Sequence, residues 1–420
     1  SKPPFVEGTL TAYQQKLAQE VEQYRSVPNI HALPGIYHYW AGRYLLPAQV
    51  ELFGTGDITQ FFADNFLASA HGAPARFLSL GAGDCTIEIE IARRLRLLRS
   101  DFTIECIELS PALLDRARAA AEASGVTAHM VFTEVDINRW QAQGTYAAVM
   151  AHHSLHHIVE LEHVFDQVQS ALLPHGRFAV ADMIGRNGHM RWPEAEAILQ
   201  RLWRTLPADK HYNHQLARFE HDFVNWDCSR EGFEGVRAQD ILPLMLQRFE
   251  FEAFLGFGNL TDVFLDRSFG HNFDPDRAGD REFIDRIHAI NELLIDIGYL
   301  KPTMMVAVAT RRGDGDATVR CHRRWTPAWC VRNATGSNEV AAEASMDVAI
   351  AGAGVPDFEA EQVADSARDS AHEVDATAAR LRTAEEEIQR LEAALDAVHQ
   401  STSWRLLAPL RWLKTRMSRR

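Results

Sequence analysis

The sequence lacks any long hydrophobic run. Hydrophobic residues make up 46% of its 420 residues, yet no stretch reaches the 18 or more consecutive apolar residues of a membrane-spanning helix. The first residues, SKPPFVEG, also lack the charged and apolar segments of a signal peptide. We therefore expect a cytoplasmic protein whose contact with membranes, if it has one, is peripheral.

Cysteine is scarce and scattered. The five cysteines lie at positions 85, 106, 228, 321 and 330, and the number is odd. This usage is typical of a reducing cytosol rather than of a disulfide framework. Cys321 and Cys330 have no second close pair beside them, so we expect no zinc and no other metal site. A histidine-rich segment described below keeps metal-dependent chemistry open as a less favoured alternative.

Acidic residues are missing from one end of the chain. The last twenty residues, STSWRLLAPLRWLKTRMSRR, contain one lysine and five arginines, whereas the whole chain has a net charge of −14. The remaining 400 residues are therefore strongly acidic, which makes nucleic acid an unsuitable partner. The basic end is expected to have a separate role.

The central region shows an alternating pattern. Residues 71–310 alternate short apolar or β-branched runs with helical stretches, which favours a parallel sheet covered by helices. Strands are predicted near 76–80, 103–107, 129–133, 146–151, 176–182, 250–257 and 303–309. Residues 1–70 are predicted to form a helical cap. The stretch 184–246 is too long for a simple crossover and predicts an inserted helical lid.

The last quarter of the chain has a different composition. Residues 311–358 are rich in Gly, Ala, Asp and Asn, which predicts a flexible linker. Residues 359–400 contain a heptad repeat, with Val374, Leu381, Ile388 and Leu395 at one seam position. The repeat favours a coiled coil, with a solvated single helix as the alternative. Residues 401–420 form the basic amphipathic tail.

The strand near 76–80 leads into a glycine turn that lacks one glycine. Residues 77–86 read FLSLGAGDCT, so Gly81 and Gly83 are present but Thr86 stands where a dinucleotide fingerprint needs a third glycine. The backbone of such a turn can approach a ligand closely, together with the amino end of the following helix. The pattern by itself does not identify the ligand.

Polar residues follow the next three strands as well. The second strand ends in Glu108, whose carboxylate suits a pair of ribose hydroxyls, and the third is followed by Asp136 and Ile137, which suit an adenine amine and ring face. The fourth leads into HHSLHHI, residues 152–158. Four strand ends thus place polar groups at the carboxyl edge of one sheet, where open α/β sheets bind ligands.

In these motifs the sequence resembles the class I S-adenosylmethionine-dependent methyltransferases, over roughly residues 30–310. LSLGAGDC is similar to their glycine motif, including Ala82, and IELS, VDI and HHSLHHI are similar to their ribose, adenine and post-strand motifs. The resemblance implies a Rossmann-like sheet of seven strands and S-adenosylmethionine as cofactor. It also accounts for Thr86, because this cofactor has no pyrophosphate.

One position departs from the family pattern. The family usually has an acid two residues before the first glycine, and here that position is Ser79. Asp84 is close enough in sequence to replace the acid beside the cofactor amine. Glu108 can alternatively be a surface acid, and Asp136 a helix cap. Arg43, in the cluster YHYWAGRY, is expected to reach the cofactor carboxylate or to lie on the surface of a packed helix.

Histidines are the candidate catalysts. Methyl transfer to a hydroxyl needs orientation, exclusion of water and a base, and histidine suits the base role. His152, His153 and His156 lie where the fourth strand delivers side chains to the reacting methyl group. The alternative is that they line the pocket and order the next helix.

A second polar set lies in and after the insertion. Tyr212, Asn213, His214 and Arg237 belong to a segment dense in aromatic and polar residues, and His271 and Asn272 follow in the loop RSFGHNFDP. Such side chains suit carbohydrate recognition, or else the internal hydrogen bonds of a buried lid.

The tail points to a biological setting. STSWRLLAPLRWLK resembles a short sequence that follows a coiled coil in many bacterial glycosyltransferases and methyltransferases of surface-polysaccharide assembly. Its apolar residues suit lipid and its basic residues suit anionic headgroups at the cytoplasmic face of the inner membrane. We therefore expect O-methylation of a sugar hydroxyl in lipopolysaccharide or a related glycan, with the coiled coil joining copies or an assembly partner. The alternatives are methylation of a small metabolite, a tail that binds protein, and a non-catalytic scaffold.

Overall fold

The protein is described by a computed structural model covering residues 33–71, 75–230, 232–313 and 318–332. The chain divides into two compact units. The first comprises residues 1–291 and 300–331, and the second residues 292–299 and 332–420. Within the second, residues 292–296 are helical and a turn follows. The predicted coiled coil and tail lie outside the described residues. No helix among the described ones is both long and apolar enough to cross a bilayer.

An eight-stranded sheet forms the centre of the first unit. Its spatial order is β10-β8-β9-β5-β4-β1-β2-β3, and a separate pair, β6 and β7, forms a small hairpin. The strands are β1 Ala75–Leu80, β2 Phe102–Glu108, β3 Met130–Glu134, β4 Tyr146–His152, β5 Leu172–Met183, β6 Tyr212–Asn213, β7 Arg218–Phe219, β8 Phe249–Phe257, β9 Met304–Arg311 and β10 Arg320–Cys321. All seven predicted strands are therefore present.

Helices accompany the strands along the chain. They are α1 Gly35–Trp40, α2 Leu46–Phe53, α3 Ile58–Ser69, α4 Thr86–Leu95, α5 Pro111–Ala123, α6 Leu161–Ala171, α7 Pro193–Thr205, α8 Ala238–Arg248, α9 Leu260–Leu265, α10 Ala278–Asp296 and α11 Pro327–Cys330. A π-helical segment, Ala41–Leu45, joins α1 to α2. The residues described between 33 and 70 are thus mainly helical, as the predicted cap requires.

The strand directions confirm the predicted α/β architecture. β1 to β5 are mutually parallel, and β9 runs antiparallel between β5 and β8. The first six residues of β4 are buried, because their small and apolar side chains are covered on both faces of the sheet. This arrangement brings the carboxyl ends of β1, β2, β4 and β5 to one edge.

The first part of the predicted linker, residues 311–358, is folded rather than flexible. Residues 318–331 belong to the first unit, because Arg320 and Cys321 pair in parallel with β8. Trp325 is 2% exposed and Cys330 is also buried, so this segment packs on the unit rather than running free. The composition of residues 311–358 did not reveal this short folded segment.

The insertion between β5 and β8 is only partly helical. It contains α7, the β6–β7 hairpin and α8, joined by irregular segments. Trp203 of α7 is fully buried, stacks on His211 and donates a hydrogen bond from Nε1 to the carbonyl oxygen of Glu220 at 3.0 Å. This anchor attaches the hairpin to the helix, and Trp203 also packs against Phe264 and Phe269, which follow β8.

Candidate active site

The glycine turn after β1 lies against the segment that follows β4. Gly81 has a φ of 64°, and a Cβ there would come within 2.8 Å of the Cβ of Ser154. The hydroxyl of Ser154 donates to the carbonyl oxygen of Leu80 at 2.6 Å. Only glycine allows both the left-handed backbone and this close approach. The motifs of the first and fourth strands are therefore in direct contact.

Glu108 reaches from the end of β2 to the same turn. Its Oε2 accepts a hydrogen bond from the backbone N–H of Gly83 at 2.9 Å, and its Oε1 accepts from the N–H groups of Leu109 and Ser110. Burial raises the pKa of Glu108, and these backbone donors partly oppose that rise. The second predicted motif thus lies within hydrogen-bonding distance of the first.

A buried acid lies beside Ser79, where the family acid is missing. The hydroxyl of Ser79 donates to Glu88 Oε1 at 2.6 Å, and both side chains are almost fully buried. Glu88 projects from α4, and burial raises its pKa to about 7, with Asp84 and Glu108 adding to the rise. Asp84 accepts hydrogen bonds from the backbone N–H and the hydroxyl of Thr86. The structure therefore adds Glu88 to Asp84 as an acid near the end of β1.

Asp136 follows β3 and caps a short helix. Its Oδ1 accepts from the backbone N–H of Asn138 at 3.0 Å, and Ile137 begins the 3-10 helix Ile137–Arg139. Both Asp136 and Ile137 are partly accessible to solvent. Asn138 in turn accepts hydrogen bonds from the N–H groups of Val159 and Glu160. Asp136 is therefore a helix cap, which was the alternative to its predicted contact with adenine. The capping hydrogen bond also fixes the position of its carboxylate.

The predicted catalytic histidines lie together at the end of β4. The rings of His152 and His153 are 4.8 Å apart, and those of His153 and His156 are 6.4 Å apart. His153 has a φ of 50°, a strained backbone conformation of the kind that clusters at functional sites. The residue is exposed, and desolvation of its ring by the surrounding protein lowers its pKa to about 4. Both properties suit a neutral side chain that lines a cleft.

His156 lies in a buried chain of charged groups. Its Nδ1 is 2.6 Å from Oδ1 of Asp182 at the end of β5, and its Nε2 is 3.4 Å from Oε1 of Glu234. The same Oε1 is 2.6 Å from Nε2 of His189. His157 Nε2 is 3.6 Å from the other oxygen of Glu234. This cluster joins β4 and β5 to two parts of the insertion.

The charges in this cluster shift one another's pKa values. Burial lowers the pKa of His156, but the adjacent carboxylates of Asp182 and Glu234 outweigh it and raise that pKa to about 10. Burial raises the pKa values of both carboxyls, but their histidine partners outweigh it and hold them well below the usual range. Burial also lowers the pKa of His189. Asp182 and Glu234 are therefore anionic near neutral pH.

Most of the predicted substrate residues meet in a second place. An open cleft of about 390 Å³ is lined by His214, Gln215, Arg267 and His271. His214 Nε2 lies 2.9 Å from Asn272 Oδ1, and Asn272 Nδ2 donates to the carbonyl oxygens of Lys210 and Tyr212. Asn213 is buried and accepts from two backbone N–H groups of the hairpin turn. These two asparagines hold the wall of the cleft.

Two predicted arginines are engaged elsewhere. Arg237 forms a two-pronged ion pair with Glu162 at 2.5 and 2.8 Å, and also pairs with Asp240. The structure therefore ties Arg237 to the start of α6 rather than to the cleft of His214 and His271. Arg43 is exposed, bonds to the hydroxyl of Tyr44, and lies 3.6 Å from Asp285 of α10.

Sequence reasoning missed several members of the site. Asp182 ends the fifth strand, so the rule used for the first four strand ends would have found it. Glu88 is an acid on the buried face of α4, and its position among the apolar residues of that helix could have indicated it. His189 ends the short 3-10 helix Asn187–His189 and Glu234 lies in a turn, both far from His156 in sequence, and only the tertiary structure brings them to it.

The family comparison agrees with this geometry. Residues 77–176, which run from β1 into β5, match the family model described as "Methyltransferase domain". Together with the strand order and the polar groups at its carboxyl edge, the match defines a class I methyltransferase domain. The chain therefore contains an S-adenosylmethionine-dependent methyltransferase domain.

Solved structures resemble the chain only weakly. A geranyl diphosphate C-methyltransferase from Streptomyces coelicolor A3(2), in complex with S-adenosylhomocysteine, is 12% identical, with a TM-score of 0.39 over 72% of this chain and 100% of that one. The [4+2]-cyclase SpnF is 13% identical, with a TM-score of 0.37 over 72% and 97%. No curated protein matches the chain. These likenesses are too weak to bear on the substrate.

Proposed function

We propose that this methyltransferase transfers a methyl group to a sugar hydroxyl of lipopolysaccharide or a related surface glycan. The observation that carries the proposal is the histidine-rich cluster at the carboxyl ends of β4 and β5, beside the glycine turn. A hydroxyl is a weak nucleophile near neutral pH, so its methylation benefits from a base close to the methyl donor.

His153 is the residue we propose as base. His153 is an exposed residue whose pKa is lowered to about 4 by desolvation of the ring, so it is neutral near pH 7 and able to accept a proton. The hydroxyl oxygen would attack the methyl carbon as the bond from that carbon to sulfur breaks, while the hydroxyl proton passes to His153. The products are a methyl ether and S-adenosylhomocysteine. Glu108 would accept hydrogen bonds from the ribose hydroxyls of the cofactor, and Glu88 or Asp84 would offset the positive charge of its amine.

The cleft beside the hairpin supports a carbohydrate acceptor. His214 and His271 present exposed rings whose centroids are 5.2 Å apart, and Arg267 and Gln215 add donors and acceptors. Phe219 of the hairpin is 50% exposed and packs against Tyr212. Apolar ring faces beside hydrogen-bonding groups match the C–H faces and hydroxyls of a sugar.

The C-terminal sequence supports a surface-polysaccharide setting. The heptad repeat of residues 359–400 and the tail of residues 401–420 suit joining of copies or an assembly partner and binding at the inner-membrane surface. A small-metabolite methyltransferase would not need this tail for its substrate. Removal of residues 401–420 should therefore release the protein from vesicles containing anionic lipid, and unchanged cosedimentation would contradict the peripheral location.

The direct test is mass spectrometry of surface glycan from a strain that lacks the protein. The proposal expects one methyl group to disappear and to return on complementation with the intact gene. An unchanged glycan combined with a methylated small metabolite would favour the alternative enzyme. Calorimetry with S-adenosylmethionine tests the scaffold alternative separately, because a non-catalytic scaffold that has lost the cofactor would show no binding.

A further inference from the structure

Three side chains of the charged cluster present metal-ligand atoms to one point. One ring nitrogen each of His156 and His189 and a carboxylate oxygen of Glu234 all lie within 4.8 Å of one another. We propose that His156, His189 and Glu234 form a binding site for a divalent transition-metal ion. The inference revises the sequence-based expectation that the chain has no metal site.

The separations fit a shared ion. Oε1 of Glu234 is 2.6 Å from His189 Nε2 and 3.4 Å from His156 Nε2. Ligand atoms about 2.0–2.2 Å from one ion lie roughly 3 Å or slightly more from each other, so small side-chain adjustments are enough to admit the ion. His156 is 3% exposed, whereas His189 and Glu234 are 22% and 26% exposed. The site is therefore closed on one side and open on the other.

Asp182 prepares His156 to act as a ligand. Oδ1 of Asp182 lies 2.6 Å from Nδ1 of His156, where a carboxylate oxygen accepts a hydrogen bond from an Nδ1–H group. Nε2 then directs its lone pair toward Glu234 and His189. Asp182 is itself fixed by hydrogen bonds from the backbone N–H groups of Ser154 and Leu155. This carboxylate–histidine arrangement is the usual support of metal-binding histidines.

The backbone brings the other two ligands together. The N–H of Gly188 donates to the carbonyl oxygen of Gly235 at 2.8 Å, which joins the segments that carry His189 and Glu234. Gly235 has a φ of 66°, and a Cβ there would approach His189 Cε1 at 3.0 Å. A glycine at 235 thus permits the close approach that places the carboxylate beside the imidazole.

The donor set indicates the class of ion. Two imidazole nitrogens and one carboxylate oxygen suit zinc, manganese or iron(II), whereas magnesium and calcium prefer oxygen ligands alone. Three protein ligands leave coordination positions open on the exposed side. If the proposed O-methylation is correct, an acceptor with neighbouring hydroxyls would bind there, close to His153. The alternative is an ion-free network in which a protonated His156 bridges Asp182 and Glu234.

Metal binding can be measured without any acceptor. Tag-free full-length protein is stripped with a chelator, equilibrated with zinc or cobalt(II), and its metal content determined by elemental mass spectrometry. We expect about one ion per chain, cobalt(II) absorption bands from bound imidazole, and a higher melting temperature with metal than without. Absence of stoichiometric binding would overturn the site and leave the ion-free network, without affecting the proposed methylation.

Variants locate the ion. Glu234→Gln keeps the shape of the side chain and His189→Ala removes a partly exposed ring, so the folded state of each can be checked by circular dichroism before metal is added. Each should weaken binding by more than Asp182→Asn, for which we expect a loss of about 10–100-fold. His71→Ala, which removes an exposed histidine just before β1, is the matched control and should leave the metal affinity unchanged. If the Glu234 and His189 variants bind metal as tightly as the unmodified protein, or if only the control variant loses binding, the assignment is refuted.

Discussion

The cofactor half of the site and the insertion half are built in opposite ways. The cofactor half takes its residues from consecutive strand ends between residues 79 and 154, where each motif is only a few residues long. The insertion half takes His189 from a single 3-10 turn and Glu234 from another turn, and joins them to His156 and Asp182. One half is thus determined by strand order, and the other by tertiary packing.

This difference separates two kinds of function. Parallel strands of the sheet deliver Gly81, Glu108 and Ser154 to one edge, so a mutation there should alter cofactor binding first. The insertion approaches the same edge through the β4–β5 histidine cluster, so a mutation there should alter the acceptor step or metal binding. The predictions below test whether the two halves are separable.

The largest effect is expected for His153→Ala. Loss of the proposed base should lower the rate of methyl transfer about 10²–10⁴-fold. The dissociation constant of S-adenosylmethionine should change little, because the ring would act on the acceptor hydroxyl. Single-turnover transfer and calorimetry on the same preparation measure the two quantities.

His71→Ala is the matched control for this change. His71 is an exposed histidine that precedes β1 at the amino end of the strand, so its removal should alter neither quantity. A rate in His153→Ala within threefold of the unmodified protein would eliminate His153 as the base. A loss of cofactor affinity as large as the loss of rate would show that the two halves are not separable.

The next effect is a pH dependence of stability caused by Glu88. Burial raises its pKa from 4.5 to about 7 in the folded state, so folding favours the protonated carboxyl. The stability from that proton is fully present below pH 4.5 and is lost as the pH rises through 7. Between pH 5 and 8 the protein should lose about 2–3 kcal/mol of unfolding free energy relative to Glu88→Gln.

Urea unfolding of both proteins at the two pH values measures this difference. Asp84→Asn provides the comparison, because Asp84 lies on the same turn but is partly accessible to solvent. If the pH dependence of Glu88→Gln equals that of the unmodified protein, Glu88 does not hold a proton in the folded state near neutral pH.

Gly81→Ala should disrupt the cofactor half alone. The added Cβ would meet Ser154 at 2.8 Å, and a left-handed φ costs an alanine about 1–2 kcal/mol. We expect a loss of cofactor affinity of about tenfold or more, since 1.4 kcal/mol corresponds to tenfold. Metal binding at His156, His189 and Glu234 should persist.

Gly279→Ala is the control for this substitution. A Cβ at Gly279 would contact nothing within 4 Å, and the residue lies in α10. Alanine there should leave cofactor affinity unchanged and raise stability by about 0.4–1 kcal/mol. Simultaneous loss of cofactor and metal in Gly81→Ala would mean that the turn supports both halves.

The same contrast explains how far the sequence predicted the molecule. The strands were predictable because alternating apolar and helical runs are local, and the positions of Glu108 and Asp136 at strand ends follow from the strands themselves. Arg237 was placed with the substrate residues because of its type, but its two bonds to Glu162 depend on the packing of α6 and α8. No local pattern encodes such a long-range ion pair.

The folded segment after β9 was missed for a related reason. Arg320 and Cys321 form only a two-residue strand, and Trp325 becomes buried through contacts that composition does not report. A strand this short has no measurable alternation, so a segment rich in small and polar residues reads as a linker.

The smallest expected effect is on the affinity for S-adenosylmethionine. It should identify which acid, Glu88 or Asp84, takes the place of the family acid that is absent at Ser79. Asp84 is engaged by Thr86 at the start of α4, whereas Glu88 is buried against the hydroxyl of Ser79. If Glu88 faces the cofactor amine, Glu88→Gln should weaken binding of S-adenosylmethionine about tenfold, the value of one hydrogen bond to a charged group. Asp84→Ala should weaken it by less than about threefold.

Calorimetry at pH 6 and 8 separates the two acids. Binding of a cation beside Glu88 favours the ionised carboxylate, so affinity should rise with pH in the unmodified protein and stay flat in Glu88→Gln. A larger loss in Asp84→Ala, with the pH dependence intact in Glu88→Gln, would assign the amine to Asp84 instead. The missing acid would then have been replaced within the glycine turn, and Glu88 would serve only to hold Ser79.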